Sequence, residues 1–155
     1  MDALIVGVFV FGFSIFYALS LIELKAWPLI FRNRGELVTD DNVRFIHASL
    51  KRLTPLLPPS NGVVILVGTT LLFMQATAES WSLAATALPI FYLSTMIGII
   101  VIGKNPAVVF SIRSHDSSSD IADLRIDLRL VGIHHHIALF TNLTVVIAEL
   151  AIFTF

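Results

Sequence analysis

Three consecutive histidines, His134, His135 and His136, stand where a polar helix pattern runs into the last apolar stretch of the chain. Two more, His47 and His115, lie in polar segments upstream. Neutral imidazole is the commonest metal ligand and titrates near physiological pH, so these residues are first candidates for metal or haem ligation and for proton transfer. Neighbouring helical residues point about 100° apart, so at most two of the triplet can face one site; the third faces lipid headgroups or another subunit. The structural alternative is a set of interfacial histidines satisfied by water and headgroups. Three carboxamide or carboxylate residues complete the inventory. Glu23 ends the first apolar block. Asn142 and Glu149 follow His135 at seven-residue steps, nearly in one helical stripe. There is no Glu-x-x-His pair of the di-iron type and no His-Glu-x-x-His. The absence of cysteine excludes disulfides, thiolate metal sites and cysteine catalysis.

These residues need elements to position them. The chain has 155 residues, 56% hydrophobic and only 14% charged, with a mean hydropathy of +0.87. Its apolar residues fall in long blocks, which predicts an all-α integral membrane four-helix bundle. The spans are predicted at about 3–22, 61–76, 81–103 and 130–155, in a single membrane domain covering 1–155. The first block opens Met1-Asp2-Ala3 without a positive charge and ends without a small-residue cleavage pattern, so it reads as a retained span. Trp27 and Pro28 mark its boundary, and Ser20, Glu23 and Trp27 share one face. Pro89 predicts a kink in the third span.

Two long connectors, 25–60 and 104–129, carry all ten Lys and Arg residues. Four spans put both connectors on one side, which the positive-inside rule makes cytoplasmic, with both termini opposite. In the first connector, Arg32-Asn33-Arg34-Gly35 reads as a turn. Thr39 to Asp41 offer caps for an amphipathic interfacial helix over about Asn42–Leu57. Its apolar side is Phe45, Ile46, Leu50, Leu53 and Leu57; its polar side is Arg44, His47, Lys51 and Arg52. Pro55, Pro58 and Pro59 then interrupt it. Thr77 to Ser80 form a tight turn between the second and third spans. Arg113 to Asp120 read as a flexible loop, followed by one long helix from about Asp120 to Phe155.

With His47, Glu23, the triplet and His115 at the same membrane level, a site at the cytoplasmic mouth would use His47, His134 or His135 as general base or ligand, oriented by Glu23. A metal would draw on His47, His135 and His115; a haem or no cofactor at all is equally compatible. Tyr17 and Asn142 would line the substrate cavity. Asn142, with Thr141 and Thr144, also suits interhelical hydrogen bonding. Glu149, about 20 Å further along the helix, cannot share that site. It is a separate buried carboxyl, either bonded to a neighbouring helix or handling protons.

The layout resembles the anthrone oxygenase-like family of small four-span membrane proteins. The resemblance rests on Glu23-Leu-Lys-Ala-Trp-Pro28 after the first span, the helical connector from His47 to Pro55, Gly103-Lys-Asn-Pro106 closing the third span, and the charged helix from Arg125 to His136. It implies a membrane-embedded oxidoreductase of oxygenase type, taking a hydrophobic small molecule from the lipid bilayer and acting without a tightly held cofactor. The competing class is a non-catalytic subunit or assembly partner of a larger membrane complex; a homo-oligomer is compatible with the enzyme reading. The basic connector is interleaved with acidic residues, which argues against nucleic acid as a partner.

Overall fold

A computed structural model describes residues 1–31, 34–79 and 81–154. The fold is all-α, 85% helical, with no strand among the described residues. The helices are α1 (Asp2–Ile22), α2 (Asp40–Leu53), α3 (Leu57–Ala76), α4 (Leu83–Ile102), α5 (Asn105–Ser114) and α6 (Ile121–Thr154). A 3₁₀ segment, Leu24–Ile30, leads out of α1. Helices α1, α3, α4 and α6 are long and apolar enough to cross a membrane.

The bundle is built on α6. Of its most apolar window 56% is buried, against 33% for α1, 17% for α3 and 28% for α4. Its buried residues Leu124, Leu128, Val131, His135, Ala138, Asn142, Val145 and Glu149 alternate four- and three-residue steps. Ile5, Phe9, Gly12, Phe16, Leu19 and Glu23 of α1 keep the same alternation. Two such seams interlock as in a coiled coil. Gly12 makes the approach possible: a Cβ there would stand 2.5 Å from Asn142 Oδ1. Ser20 meets His135 at one end of the pair, whereas Asp2 and Glu149 share Gln75 at the other, so α1 and α6 are antiparallel. Helices α3 and α4 complete an up-down-up-down bundle. Both long connectors therefore sit at the histidine end, and the short turn at 77–79 lies at the other; Ser80 of that turn is outside the described residues.

The connectors are more structured than their composition suggests. Thr39 caps α2 by accepting the Asn42 N–H at 3.4 Å, with Asp40 and Asp41 in the first turn and Lys51 and Arg52 in the last, as the helix dipole favours. The buried side of α2 is Val43, Ile46, His47 and Leu50, packed against α6, while Phe45 faces out. The sequence-based division placed His47 on the polar side and Phe45 on the apolar one; packing on α6 reverses both. α2 also stops at Leu53 rather than Leu57. Pro58 and Pro59 do not interrupt a helix but begin α3, in a first turn whose N–H groups have no helical partner anyway. This moves the start of the second span from 61 to Leu57. Arg125 of α6 donates to Gly35 O, Val38 O and Asp40 Oδ1 at 2.7–2.8 Å, tying the first connector to α6. The predicted turn at Arg32 and Asn33 lies outside the described residues.

Candidate functional site

At the histidine end the three adjacent imidazoles diverge into different helix contacts. His134 Nδ1 accepts from Asn105 Nδ2 at 3.2 Å, and its Nε2 lies where a Cβ on Gly103 would be, 2.5 Å away. Glycine at 103 lets the end of α4 close on this ring. His136 Nδ1 donates to Gly132 O at 2.7 Å, and its ring packs edge-on against Trp27. His135 is buried between α6 and α1. Its Nε2 is 3.0 Å from Ser20 Oγ, and its Nδ1 is 3.1 Å from Glu23 Oε2. The second contact is an ion-pair distance without hydrogen-bond alignment. His135 Nδ1 and Glu23 Oε1 are thus buried without a hydrogen-bond partner in the protein.

Glu23, His134 and His135 line a cavity of about 310 Å³ between α1, α3, α4, α5 and α6. Its walls are otherwise largely apolar, including Phe16, Leu19, Val64, Ile65, Met96 and Ile99; Asn61, Tyr92 and Asn105 add polar atoms. Asn61 Oδ1 is also buried and unpaired. A largely apolar cleft with a few polar groups is the common form of a small-molecule site. Of seven buried side-chain atoms without a partner among the described residues, three belong to residues lining this cavity, where a bound molecule can supply the partners.

His47 and His115 do not join this cavity. His47 Nε2 and His115 Nδ1 lie 3.1 and 2.7 Å from one oxygen, Asp127 Oδ2. His47 and Asp127 are buried, and His115 is part-exposed on the loop between α5 and α6. The rings are 6.4 Å apart and tilted by 44°. Lys51 donates to the His115 carbonyl and Arg44 to that of Ser117, fastening the loop to α2. The single converging site expected from sequence is therefore two: Glu23 with His135, and His47 with His115. The second is held together by Asp127, which the sequence reading left out. One signal for it was present: Asp127 falls three residues after Leu124 and four before Val131, on the buried stripe of α6. Ser20 was placed on the right face but given no role.

Tyr17 and Asn142 are not among the residues lining the cavity. Tyr17 is half-exposed and stacks on Phe13, pointing away from the bundle. Asn142 is fully buried, donates to Ala138 O at 2.8 Å and faces Gly12, a packing position.

Glu149 occupies the far end. It is fully buried, and Gln75 of α3 donates to its Oε2 at 3.1 Å and to Asp2 Oδ1 at 3.0 Å. One amide thus holds two carboxyls from two helices, and Glu149 is bonded to a neighbouring helix. Gln75→Leu is expected to cost about 1–3 kcal/mol, because it strips the donor from a buried carboxyl. Gln75→Leu with Glu149→Leu should recover most of that loss. Equilibrium unfolding of the wild type and the two variants in mixed micelles measures both.

Comparison with protein-family models, curated proteins and solved structures finds no match to this chain.

Proposed function

We propose that this protein is a multi-pass membrane oxidoreductase of oxygenase type, and that it binds a hydrophobic, aromatic-ring substrate in the cavity at the histidine end. The observation that carries this reading is the set of three unpaired buried polar atoms, on Glu23, Asn61 and His135, around one largely apolar cavity. Membrane insertion is supported by the outward faces of the long helices, where Leu66, Ile90, Ile100, Val101, Ile102 and Phe140 are exposed. Such a surface is unfavourable in water and ordinary in lipid. The basic connectors are assigned to the cytoplasmic side, and α2 lies along that interface against the start of α6.

His135 is the general base in this mechanism. In the tautomer that donates Nε2–H to Ser20 Oγ, Nδ1 carries the lone pair that takes the proton, and the Glu23 carboxylate 3.1 Å away stabilises the imidazolium that forms. The proton comes from a ring methylene made acidic by a neighbouring carbonyl and aromatic rings. The carbanion left behind is electron-rich enough to reduce dioxygen. Carbon–oxygen bond formation gives a hydroperoxide, which loses water to leave a carbonyl. One methylene and one dioxygen become one carbonyl and one water. The resemblance to the anthrone oxygenase-like family points to the same substrate class.

Protein purified into lipid nanodiscs, given anthrone in an oxygen electrode, should consume dioxygen faster than spontaneous oxidation and form the quinone. No acceleration over protein-free nanodiscs, across a panel of such methylene ketones, would remove the oxygenase reading.

A further inference from the structure

We propose that His47, His115 and Asp127 form a binding site for one divalent transition-metal ion, with zinc the best fit, separate from the substrate cavity. The donors come from α2, the loop before α6, and α6 itself, so the ion would join the two connectors. Their ligand atoms lie within 4.8 Å of one another. A tetrahedral ion about 2.0–2.1 Å from each needs them roughly 3.3 Å apart, so the side chains need shift by little. Two imidazole nitrogens aimed at one carboxylate oxygen, from two separate segments, is a nitrogen–nitrogen–oxygen donor set suited to zinc. The tilt of 44° between the rings lets both in-plane lone pairs meet at one point. The fourth position would be water, reached through the surface pocket that His47 lines beside Lys51, Asp116 and Ser117. The charges of Lys51 and Arg44 are directed at loop carbonyls rather than at the donors.

Glu23, His135 and His136 also come close together, but they suit an ion less well. The His135 and His136 rings are stacked 4.7 Å apart at 16°, so their in-plane lone pairs run parallel instead of converging. His136 Nδ1 is committed to Gly132 O.

The test uses full-length protein in nanodiscs, stripped with chelator and titrated with Zn²⁺ by calorimetry and with Co²⁺ by visible absorption. One ion per chain and an intense tetrahedral cobalt band are expected. His115→Ala is the key variant because its side chain is part-exposed and its loss leaves the packing of α2 on α6 intact. It should weaken binding by more than about 100-fold, beyond what loss of an outer-shell partner does. His135→Ala should bind zinc as the wild type does. The proposal is overturned if the wild type binds neither metal, in which case the cluster is a hydrogen-bonded His–Asp–His only. It is equally overturned if His115→Ala keeps wild-type affinity, or if His135→Ala loses it. Oxygen uptake is measured separately on the stripped protein, so failure of the metal site and failure of the oxygenase reading give different results.

Discussion

His135→Ala is expected to slow proton abstraction by about 10²–10⁴-fold, the usual contribution of a positioned general base. The readout is solvent deuterium entering the methylene of anthrone under anaerobic conditions, which isolates the proton step from oxygen chemistry. Glu23→Gln should fall in the same direction by a smaller factor, since it removes the charge that stabilises the imidazolium but keeps a polar group. Ser20→Ala releases the ring without removing the base, and a smaller loss is expected. His115→Ala is the control, because that ring contacts Asp127 and lies outside the cavity. Exchange at the wild-type rate in His135→Ala, with substrate still bound, would reassign the base to Glu23 or remove the mechanism.

Much of the architecture was legible because it follows from the lengths of apolar blocks and the positions of charge. Four long apolar helices, the single long helix through the histidines and the cap at Thr39 can all be read from local pattern. The face shared by Ser20, Glu23 and Trp27 was legible too, and it meets His135 and His136. What escaped depended on packing against a neighbour. α5 was not foreseen, although Asn105-Pro106 is a good helix start, followed by Val108 and Ile112 at helical spacing. The buried face of α2 was misjudged because amphipathicity alone does not distinguish a face toward lipid from a face toward α6. His47 was grouped with His135 as well as with His115, and only His115 stands beside it. Asp127 was hidden between Arg125 and Arg129, in a run that looked solvated. A carboxylate on an otherwise apolar stripe was its only trace.

The seven-residue alternation on α1 and α6 links these observations. Where the seam is apolar, as at Phe9, Leu19, Ala138 and Val145, it only packs. Where it carries Glu23 against His135, Asn142 against Gly12, or Glu149 near Gln75, polar groups are held at fixed depth by the same interlocking. A polar residue in such a seam lowers stability and fixes register. The helix pair thus presents the His135–Glu23 contact to the cavity in one defined position, as the proposed base would require.

Asp127→Ala is expected to be among the most destabilising single substitutions at the histidine end, by about 2–4 kcal/mol. His47 is buried with its Nε2 directed at Asp127, so the substitution leaves an unpaired imidazole group and a small void, each of order 1–2 kcal/mol. His115→Ala should cost under about 1 kcal/mol, because water can replace a part-exposed ring. The two effects are not independent: with alanine at 127, removing His47 as well should cost less than the sum, by a coupling of about 0.5–3 kcal/mol. His47→Leu with Asp127→Leu should recover stability beyond Asp127→Ala, since an apolar pair of similar volume needs no partner. Equilibrium unfolding in mixed micelles, followed by Trp27 emission, measures the series. Zinc at a hundred times its dissociation constant should add about 2.7 kcal/mol to the wild type and nothing to Asp127→Ala. A neutral Asp127→Ala would mean that α2 is held on α6 by Val43, Ile46 and Leu50 alone, and that the carboxylate is kept for the ion it binds rather than for the fold.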